Sequence, residues 1–309
     1  MYNIKNVLIF GAGLMGKNIA YVMASNPEFE VTLYDIKEQD PKEGIRRNTR
    51  ELVENGIITS EEVEKRLKRI HFTTDIDHSA IKNTDLVIEA VFEDMDIKRK
   101  VFKDLEERCS KEAIFCTNSS VMSPSEISKN LKFRERFVGT HFWNPAHLIP
   151  LVEVIKSDAT TDNVAQTMMD IFEAVGKKPV LCRKDVPGFI GNRMQHALWR
   201  EAVYIVEQGI ADAKTVDDAV KYSFGLRLPQ LAPLENADMV GLDLTYNIHK
   251  TVLSDLCDSH EPSPLLEKLK DEGKLGFKSN EGFQKWTKDE QERLSSDLNK
   301  YLIKMLYDK

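Results

Sequence analysis

Short apolar runs alternate with segments of helical periodicity through the first 185 or so residues of the chain. The first run, residues 7–10, is continuously apolar, as is typical of a strand that a parallel sheet buries on both faces. The runs cover residues 7–10, 31–34, 86–88, 114–116, 137–142 and 151–155. Helical patterns separate several of them, at 14–25, in a charged hairpin that begins at residue 43, and at 162–175. This alternation predicts an α/β domain built on a largely parallel sheet.

The pattern changes after the segment 184–188, which contains Pro187 and Gly188. From Phe189 onward, apolar residues recur at helical spacing and little strand pattern remains. We therefore expect an α/β domain at residues 1–185 and an all-helical domain at residues 186–309.

Composition narrows the class of protein. The 309 residues carry 43 Lys and Arg against 50 Asp and Glu, a net charge of −7, which argues against nucleic acid as the partner. No apolar run approaches the roughly 18 residues of a membrane-spanning helix, and the N-terminus has no secretory-signal pattern. The 4 cysteines are widely spaced and have no closely spaced histidines, so neither a disulfide framework nor a metal site is expected. We expect a reduced, soluble, cytoplasmic protein without a membrane partner.

A glycine-rich turn follows the first apolar run and opens the first helix. Gly11, Gly13 and Gly16 fit the pattern Gly-x-Gly-x-x-Gly, with Leu14 and Met15 between the last two glycines. In such a turn the glycines permit a tight bend, close approach of a pyrophosphate and close helix–strand packing. Asp35, at the end of the second run, is placed to accept hydrogen bonds from a ribose 2′-hydroxyl. The pattern predicts a Rossmann-type dinucleotide site that prefers NAD to NADP, although Lys37 nearby is a cation that a 2′-phosphate would tolerate.

A second constellation joins two later strands. His141 ends one strand, and Glu153 lies within an apolar run on the next. A carboxylate buried among apolar residues needs a partner, and an imidazole is a natural one. Held by Glu153, His141 would take the proton of a substrate hydroxyl while hydride leaves for the nicotinamide. From spacing alone, a buried structural histidine and a salt-bridged glutamate remain an equal alternative.

The order of motifs resembles that of the L-3-hydroxyacyl-CoA dehydrogenase family over nearly the whole chain. The shared segments are the glycine turn at 11–16, Asp35, Asn-Ser-Ser at 118–120, His-Phe-Trp-Asn-Pro at 141–145, Leu-Val-Glu-Val at 151–154 and Pro-Gly-Phe-Ile-Gly-Asn-Arg at 187–193. The resemblance implies an NAD-binding Rossmann-type domain followed by a helical domain that forms a homodimer. It also implies an active site in the cleft between the two domains.

The resemblance assigns roles to individual residues. It implies that His141 is the catalytic base, that Glu153 orients it, and that Ser119 and Asn192 hydrogen-bond the substrate. It further implies cofactor contacts for four more residues, Glu93, Lys98, Asn144 and Lys278. Each of these residues has an ordinary structural alternative, such as a turn serine or a solvated charge at a helix start.

Two departures bear on the substrate. Relatives that use CoA often carry lysines just before Gly56, where this chain has Glu54 and Asn55. Arg227 lies in a Gly-Leu-Arg segment that is similar to relatives acting on free 3-hydroxy acids, such as carnitine and gulonate dehydrogenases, and could pair with a free carboxylate. The first expectation is a short (3S)-3-hydroxyacyl-CoA, such as 3-hydroxybutyryl-CoA. A free 3-hydroxycarboxylate is the alternative, and a protein that binds NAD without turnover is a third.

Overall fold

One eight-stranded sheet forms the centre of the N-terminal part of the chain in this computed structural model, which describes residues 2–307. Its strands are β1 (Asn6–Phe10), β2 (Glu30–Tyr34), β3 (Ile70–Thr73), β4 (Leu86–Glu89), β5 (Ile114–Thr117), β6 (Phe137–Phe142), β7 (Leu151–Lys156) and β8 (Lys178–Cys182). The strand order is β3-β2-β1-β4-β5-β6-β7-β8. All neighbours are parallel except β6 and β7, which pair antiparallel.

The strand order reverses beside β1, which pairs with β2 on one side and β4 on the other. At such a switch point the loops after the two strands run in opposite directions and open a crevice at the carboxyl ends of the strands. The glycine-rich turn follows β1 directly and therefore lies in this crevice. The predicted Rossmann-type sheet is confirmed.

Helices cover the sheet because its strands are apolar on both faces. Along β1, Val7 and Ile9 pack in one apolar cluster, whereas Leu8 and Phe10 pack in another. The helices that accompany the sheet are α1 (Leu14–Met23), α2 (Pro41–Glu54), α3 (Ser60–Lys68), α4 (Ser79–Lys82), α5 (Met95–Arg108), α6 (Pro124–Ser128) and α7 (Asp162–Ala174).

The apolar pattern of the sequence did not predict two of the strands, β3 and β8. Both lie at the edges of the sheet, and their residues are mostly half-buried or exposed. An edge strand has one neighbour and is only partly covered, so it lacks the continuous apolar run that marks a central strand.

The chain divides into two compact units at a different place from the predicted boundary of 185/186. The first unit comprises the residues up to Arg193 together with those from Lys300 onward, and the second is Met194–Asn299. The segment after 185 stays with the sheet because Phe189 is buried against Ile155 and Cys182. The last helix returns to the first unit because Ile303 is buried against Leu52 and Leu148.

The second unit is helical, as predicted. The remaining helices are α8 (Gly191–Glu207), α9 (Ala213–Lys221), α10 (Phe224–Arg227), α11 (Pro233–Val240), α12 (Leu242–Val252), α13 (Pro264–Asp271) and α14 (Lys288–Tyr307). Between Met194 and Asn299, a stretch that the structure describes throughout, no residue is buried. Among residues 2–307, no helix is both long and apolar enough to cross a membrane.

Candidate active site

The glycine turn between β1 and α1 leaves room beside the backbone. Gly11 has φ +110°, and a Cβ there would lie 2.7 Å from the carbonyl oxygen of Ala90. A Cβ on Gly16 would lie 1.7 Å from the carbonyl oxygen of Gly11, whereas a Cβ on Gly13 would meet nothing within 4 Å. Gly13 is the N-cap of α1 and has no side chain to cap it. The free amides at this helix N-terminus and the open space at Gly13 suit a pyrophosphate.

Asp35 connects the turn to β2. One carboxylate oxygen accepts a hydrogen bond from the backbone N–H of Ala12 at 2.8 Å, and the other accepts from the N–H of Lys37 at 3.0 Å. A carboxylate accepts about four hydrogen bonds, so Asp35 retains capacity for ribose hydroxyls. The turn and Asp35 together fit a dinucleotide.

His141 and Glu153 are direct cross-strand partners in the antiparallel pair β6–β7. Both are buried, and the Nδ1 atom of His141 lies 2.8 Å from Oε2 of Glu153. If Glu153 is ionised, Nδ1 carries the proton and Nε2 is left as an acceptor. The pair therefore has the arrangement of a base and its orienting carboxylate.

Backbone amides hold the other oxygen of Glu153. Its Oε1 accepts hydrogen bonds from the N–H groups of Ile190 at 2.8 Å and Gly191 at 2.9 Å. Burial raises the pKa of Glu153, but the hydrogen bonds from His141, Gly191 and Ile190 outweigh it and hold the pKa below its ordinary value. Glu153 is therefore a carboxylate at neutral pH.

Ser119 and Asn192 meet at the segment that follows β5. The Ser119 hydroxyl donates to Glu93 and accepts from the N–H of Met122 at 2.9 Å. Glu93 also accepts from the N–H of Ser120 at 2.8 Å, and the Asn192 side chain donates to the carbonyl oxygen of Ser120 at 3.1 Å. Ser119 therefore belongs to the short segment after β5, and Asn192, from α8, is hydrogen-bonded to the same segment.

Lys98 is in a different environment from the one expected for a cofactor contact or a solvated charge. It is buried, and its Nζ lies 2.7 Å from Glu89 and 3.2 Å from Glu93. Glu89 is fully buried and also accepts from Thr117 at 2.7 Å. Because both carboxylates occupy the ammonium of Lys98, it acts on the site through Glu93. Glu89 was missed, although a lone charge at the end of an apolar strand was the same signal that identified Glu153.

A cavity of about 330 Å³ connects these features within the first unit. Its walls include five of the predicted site residues, together with four others. The lining residues are Leu14, Met15, Asn118, Ser120, His141, Phe142, Trp143, Asn144 and Asn192. The start of the glycine-turn helix and His141 therefore line the same cavity.

Asn118 and Trp143 are two of the four lining residues to which the sequence assigned no role. Asn118 accepts a hydrogen bond from the N–H of Phe142 at 2.9 Å, and the Trp143 indole N–H donates to Glu153 at 3.3 Å. Trp143 lies two residues after His141, so strand alternation would have placed both on one face.

Arg227 and Lys278 lie in the second unit, and both are exposed. Arg227 is the last residue of α10, and Lys278 precedes Ser279 in the segment between α13 and α14. Their assignments as a substrate contact and a cofactor contact stay predictions.

Comparisons with known proteins agree with the two-part organisation. Residues 6–186 match the family description 3-hydroxyacyl-CoA dehydrogenase, NAD binding domain, and residues 188–286 match 3-hydroxyacyl-CoA dehydrogenase, C-terminal domain. The human mitochondrial hydroxyacyl-coenzyme A dehydrogenase is 37% identical over 295 residues, which are 92% of this chain and 91% of that protein.

Solved structures resemble the chain over most of its length. The structure of 5-formyl-3-hydroxy-2-methylpyridine 4-carboxylic acid 5-dehydrogenase, an NAD⁺-dependent dismutase, has a TM-score of 0.89 at 29% identity and covers 97% of each chain. The (S)-3-hydroxybutyryl-CoA dehydrogenase of Ralstonia eutropha has a TM-score of 0.78 at 29% identity, covering 93% of this chain and 100% of that one. With its NAD-binding glycine turn and its C-terminal helical domain, this chain belongs to the 3-hydroxyacyl-CoA dehydrogenase family of NAD-dependent oxidoreductases acting on CH–OH groups.

Proposed function

We propose that the protein interconverts a short (3S)-3-hydroxyacyl-CoA, such as 3-hydroxybutyryl-CoA, and the corresponding 3-oxoacyl-CoA. The observation that carries this proposal is the buried His141–Glu153 pair, whose histidine lines the cavity that begins at the glycine turn. Alcohol oxidation needs a base for the hydroxyl proton and an acceptor for hydride, and bound NAD supplies the hydride acceptor.

His141 takes the hydroxyl proton on Nε2 in oxidation and returns it to the carbonyl oxygen in reduction. Glu153 holds Nδ1 in the protonated tautomer and stabilises the imidazolium that forms. Asn192 and Ser119 are the substrate contacts in this proposal, because both reach the same stretch of backbone beside the cavity.

The groups that hold NAD are the amides at the start of α1 and the Asp35 carboxylate. Asp35 accepts the ribose hydroxyls and disfavours a 2′-phosphate through charge repulsion. Glu93 and Asn144 are further cofactor contacts, and Lys98 supports the first of these through its ion pair.

A second candidate substrate class is a free 3-hydroxycarboxylate. The structural likeness to the pyridine carboxylic acid dehydrogenase, with a TM-score of 0.89, exceeds that to the Ralstonia eutropha 3-hydroxybutyryl-CoA dehydrogenase, with 0.78, at the same identity of 29%. Two residues favour the same class. Arg227 is a candidate partner for a substrate carboxylate, and Glu54 lies near the hairpin turn where relatives that use CoA often carry lysines.

NADH absorbance with acetoacetyl-CoA and, separately, with free acetoacetate tests the proposal. We expect oxidation of NADH with the thioester and its loss in His141→Ala. Activity confined to free acids would replace the CoA proposal with the second candidate, and Arg227→Ala should then raise KM. Thermal stabilisation by NAD with no activity on any 3-hydroxy substrate would contradict both proposals and indicate a protein that binds NAD without turnover.

We also propose that the helical unit pairs with a second copy of the chain. No residue of Met194–Asn299 is buried, yet the stretch carries many large apolar side chains at exposed positions. Exposed apolar surface of this kind marks interaction sites. A homodimer would cover it in the two-fold symmetric manner that most soluble oligomers use.

A further inference from the structure

Trp143 lies against the His141–Glu153 pair. Its indole Nε1 lies 3.3 Å from Oε2 of Glu153, the same oxygen that lies 2.8 Å from His141. The centroids of its indole and the His141 ring are 5.5 Å apart. Trp143 therefore contacts both members of the pair.

With Trp143 included, the carboxylate of Glu153 accepts four hydrogen bonds. Oε1 accepts from the two backbone amides of Ile190 and Gly191, and Oε2 accepts from His141 and Trp143. A carboxylate has about four lone-pair sites, so each oxygen is fully used. Because Glu153 is fully buried, each of these donors matters for the charge it carries.

Gly191 makes room for the indole. A Cβ built on Gly191 would lie 2.5 Å from Cζ2 of Trp143 and 3.3 Å from its Cε2. A glycine is therefore needed at this position at the start of α8 because of the ring that packs on it. The segment of Ile190 and Gly191 therefore both donates to Glu153 and packs against Trp143.

We propose that Trp143 is a positioning residue that sets the basicity of His141 through its hydrogen bond to Glu153, and that Gly191 is required to seat it. This inference rests on the proposed role of His141 as the base. The indole N–H and the imidazole N–H both donate to Oε2. The indole hydrogen bond therefore reduces the negative charge on Oε2 that acts on the imidazole. The imidazolium is consequently stabilised less than it would be by a carboxylate facing His141 alone.

The sign of the effect follows from this competition. In Trp143→Phe, Oε2 loses one donor, so more of its charge acts on His141 and the imidazolium is stabilised further. One other titratable group, Cys182 on β8, lies near Glu153. Burial raises the pKa of Cys182, with the charges of Glu153 and Asp185 adding to the rise, so the thiol stays neutral. Asp185 is held by Ser123 and Ser125.

A histidine titration by NMR tests the proposal without turnover. His141→Gln identifies the His141 signal among the 7 histidines. We expect Trp143→Phe to move its midpoint up by about 0.5 pH unit, a fraction of the effect of a full charged hydrogen bond. Trp199→Phe, a matched change in the second unit, should leave it in place. An unchanged or lowered midpoint in Trp143→Phe would overturn the proposal.

Kinetics provide the second readout. If His141 is the base, the acid limb of kcat/KM should shift upward in Trp143→Phe by the same amount as the NMR midpoint. An NMR shift without any dehydrogenase activity would retain the inference about Trp143 and reject the proposed function. Lower activity with both midpoints unchanged would show that Trp143 only fills space.

A double-mutant cycle tests the contact itself. Gly191→Ala should lower the Tm by about 3–8 °C in the wild-type background, because the new methyl group meets the indole. In the Trp143→Phe background the smaller ring leaves room, and the loss should be less than half as large. Equal losses in both backgrounds would show that Gly191 serves a purpose other than seating Trp143.

Discussion

At the residue scale, the candidate site depends on charged side chains buried at strand positions. Glu89 and Glu153 are both fully buried, and each is compensated differently. Glu89 is paired with the ammonium of Lys98, whereas Glu153 is surrounded by N–H donors from His141, Trp143 and two backbone amides. A buried charge without such partners would cost several kcal/mol. The donors therefore stabilise the fold and also leave Glu153 ionised beside the histidine.

Glu153→Gln should lower kcat by about 10²–10⁴-fold, the range typical of general acid–base catalysis. All four partners of Glu153 are donors, so the amide NH₂ of a glutamine meets another donor in either orientation. With the NH₂ toward His141 the imidazole loses the acceptor that fixes its tautomer, and with the NH₂ toward Ile190 and Gly191 the neutral amide no longer stabilises the imidazolium as a carboxylate does. Steady-state kinetics together with fluorescence titration of NADH would measure the effect, with the affinity for NADH expected to stay within about twofold because Glu153 does not hold the glycine turn. A parallel loss of cofactor affinity would indicate a folding role instead.

At the element scale, the β1–α1 turn requires glycine at two positions for two different reasons. At Gly16 the demand is packing, since a Cβ there would lie 1.7 Å from the Gly11 carbonyl oxygen. At Gly13 the demand comes from the ligand side, since φ is −69° and a Cβ would meet nothing within 4 Å. The φ of Gly13 is in the range that L-residues adopt.

The variants Gly13→Ala and Gly16→Ala should therefore separate binding from folding. We expect Gly13→Ala to keep the Tm within about 2 °C and to weaken NAD binding about tenfold or more, because its methyl group occupies the approach to the helix amides. Gly16→Ala should lower the Tm by more than about 5 °C, because backbone must move. Thermal unfolding with and without NAD distinguishes the two. Unimpaired NAD binding by Gly13→Ala would contradict the placement of the pyrophosphate.

At the scale of the whole molecule, the two units differ in how they bury apolar residues. The first contains the sheet and its two principal apolar clusters. The second has no buried residue between Met194 and Asn299, although its helices carry side chains such as Leu234 at 81% exposure. A helical unit without a core of its own is stable only when another surface covers it.

If that surface is a second copy, the stability of the protein depends on its concentration. Sedimentation should give about twice the mass of the 35.4 kDa chain, and the Tm should rise as protein concentration increases. Dilution in the absence of ligand should dissociate the dimer and lower the Tm. A monomer with a concentration-independent Tm would contradict pairing through the helical unit.

By itself, the sequence determined six of the eight strands, the glycine turn with Asp35, and the helical character of the chain after Phe189. These features depend on local periodicity and on backbone conformations that few residues adopt, so they are visible without tertiary contacts. His141 and Glu153 could also be proposed as partners from the sequence, because a charged residue within an apolar strand needs a polar partner.

Only the tertiary structure decided the edge strands β3 and β8, the burial of Lys98 and the four-donor environment of Glu153. Each depends on groups that are distant along the chain: Lys98 meets Glu89 and Glu93, and the backbone amides of Ile190 and Gly191 reach Glu153 on another element. Edge strands look polar in the sequence because one side lacks a neighbour. Whether a charge is solvated or buried is set by what packs over it, and no local pattern carries that information.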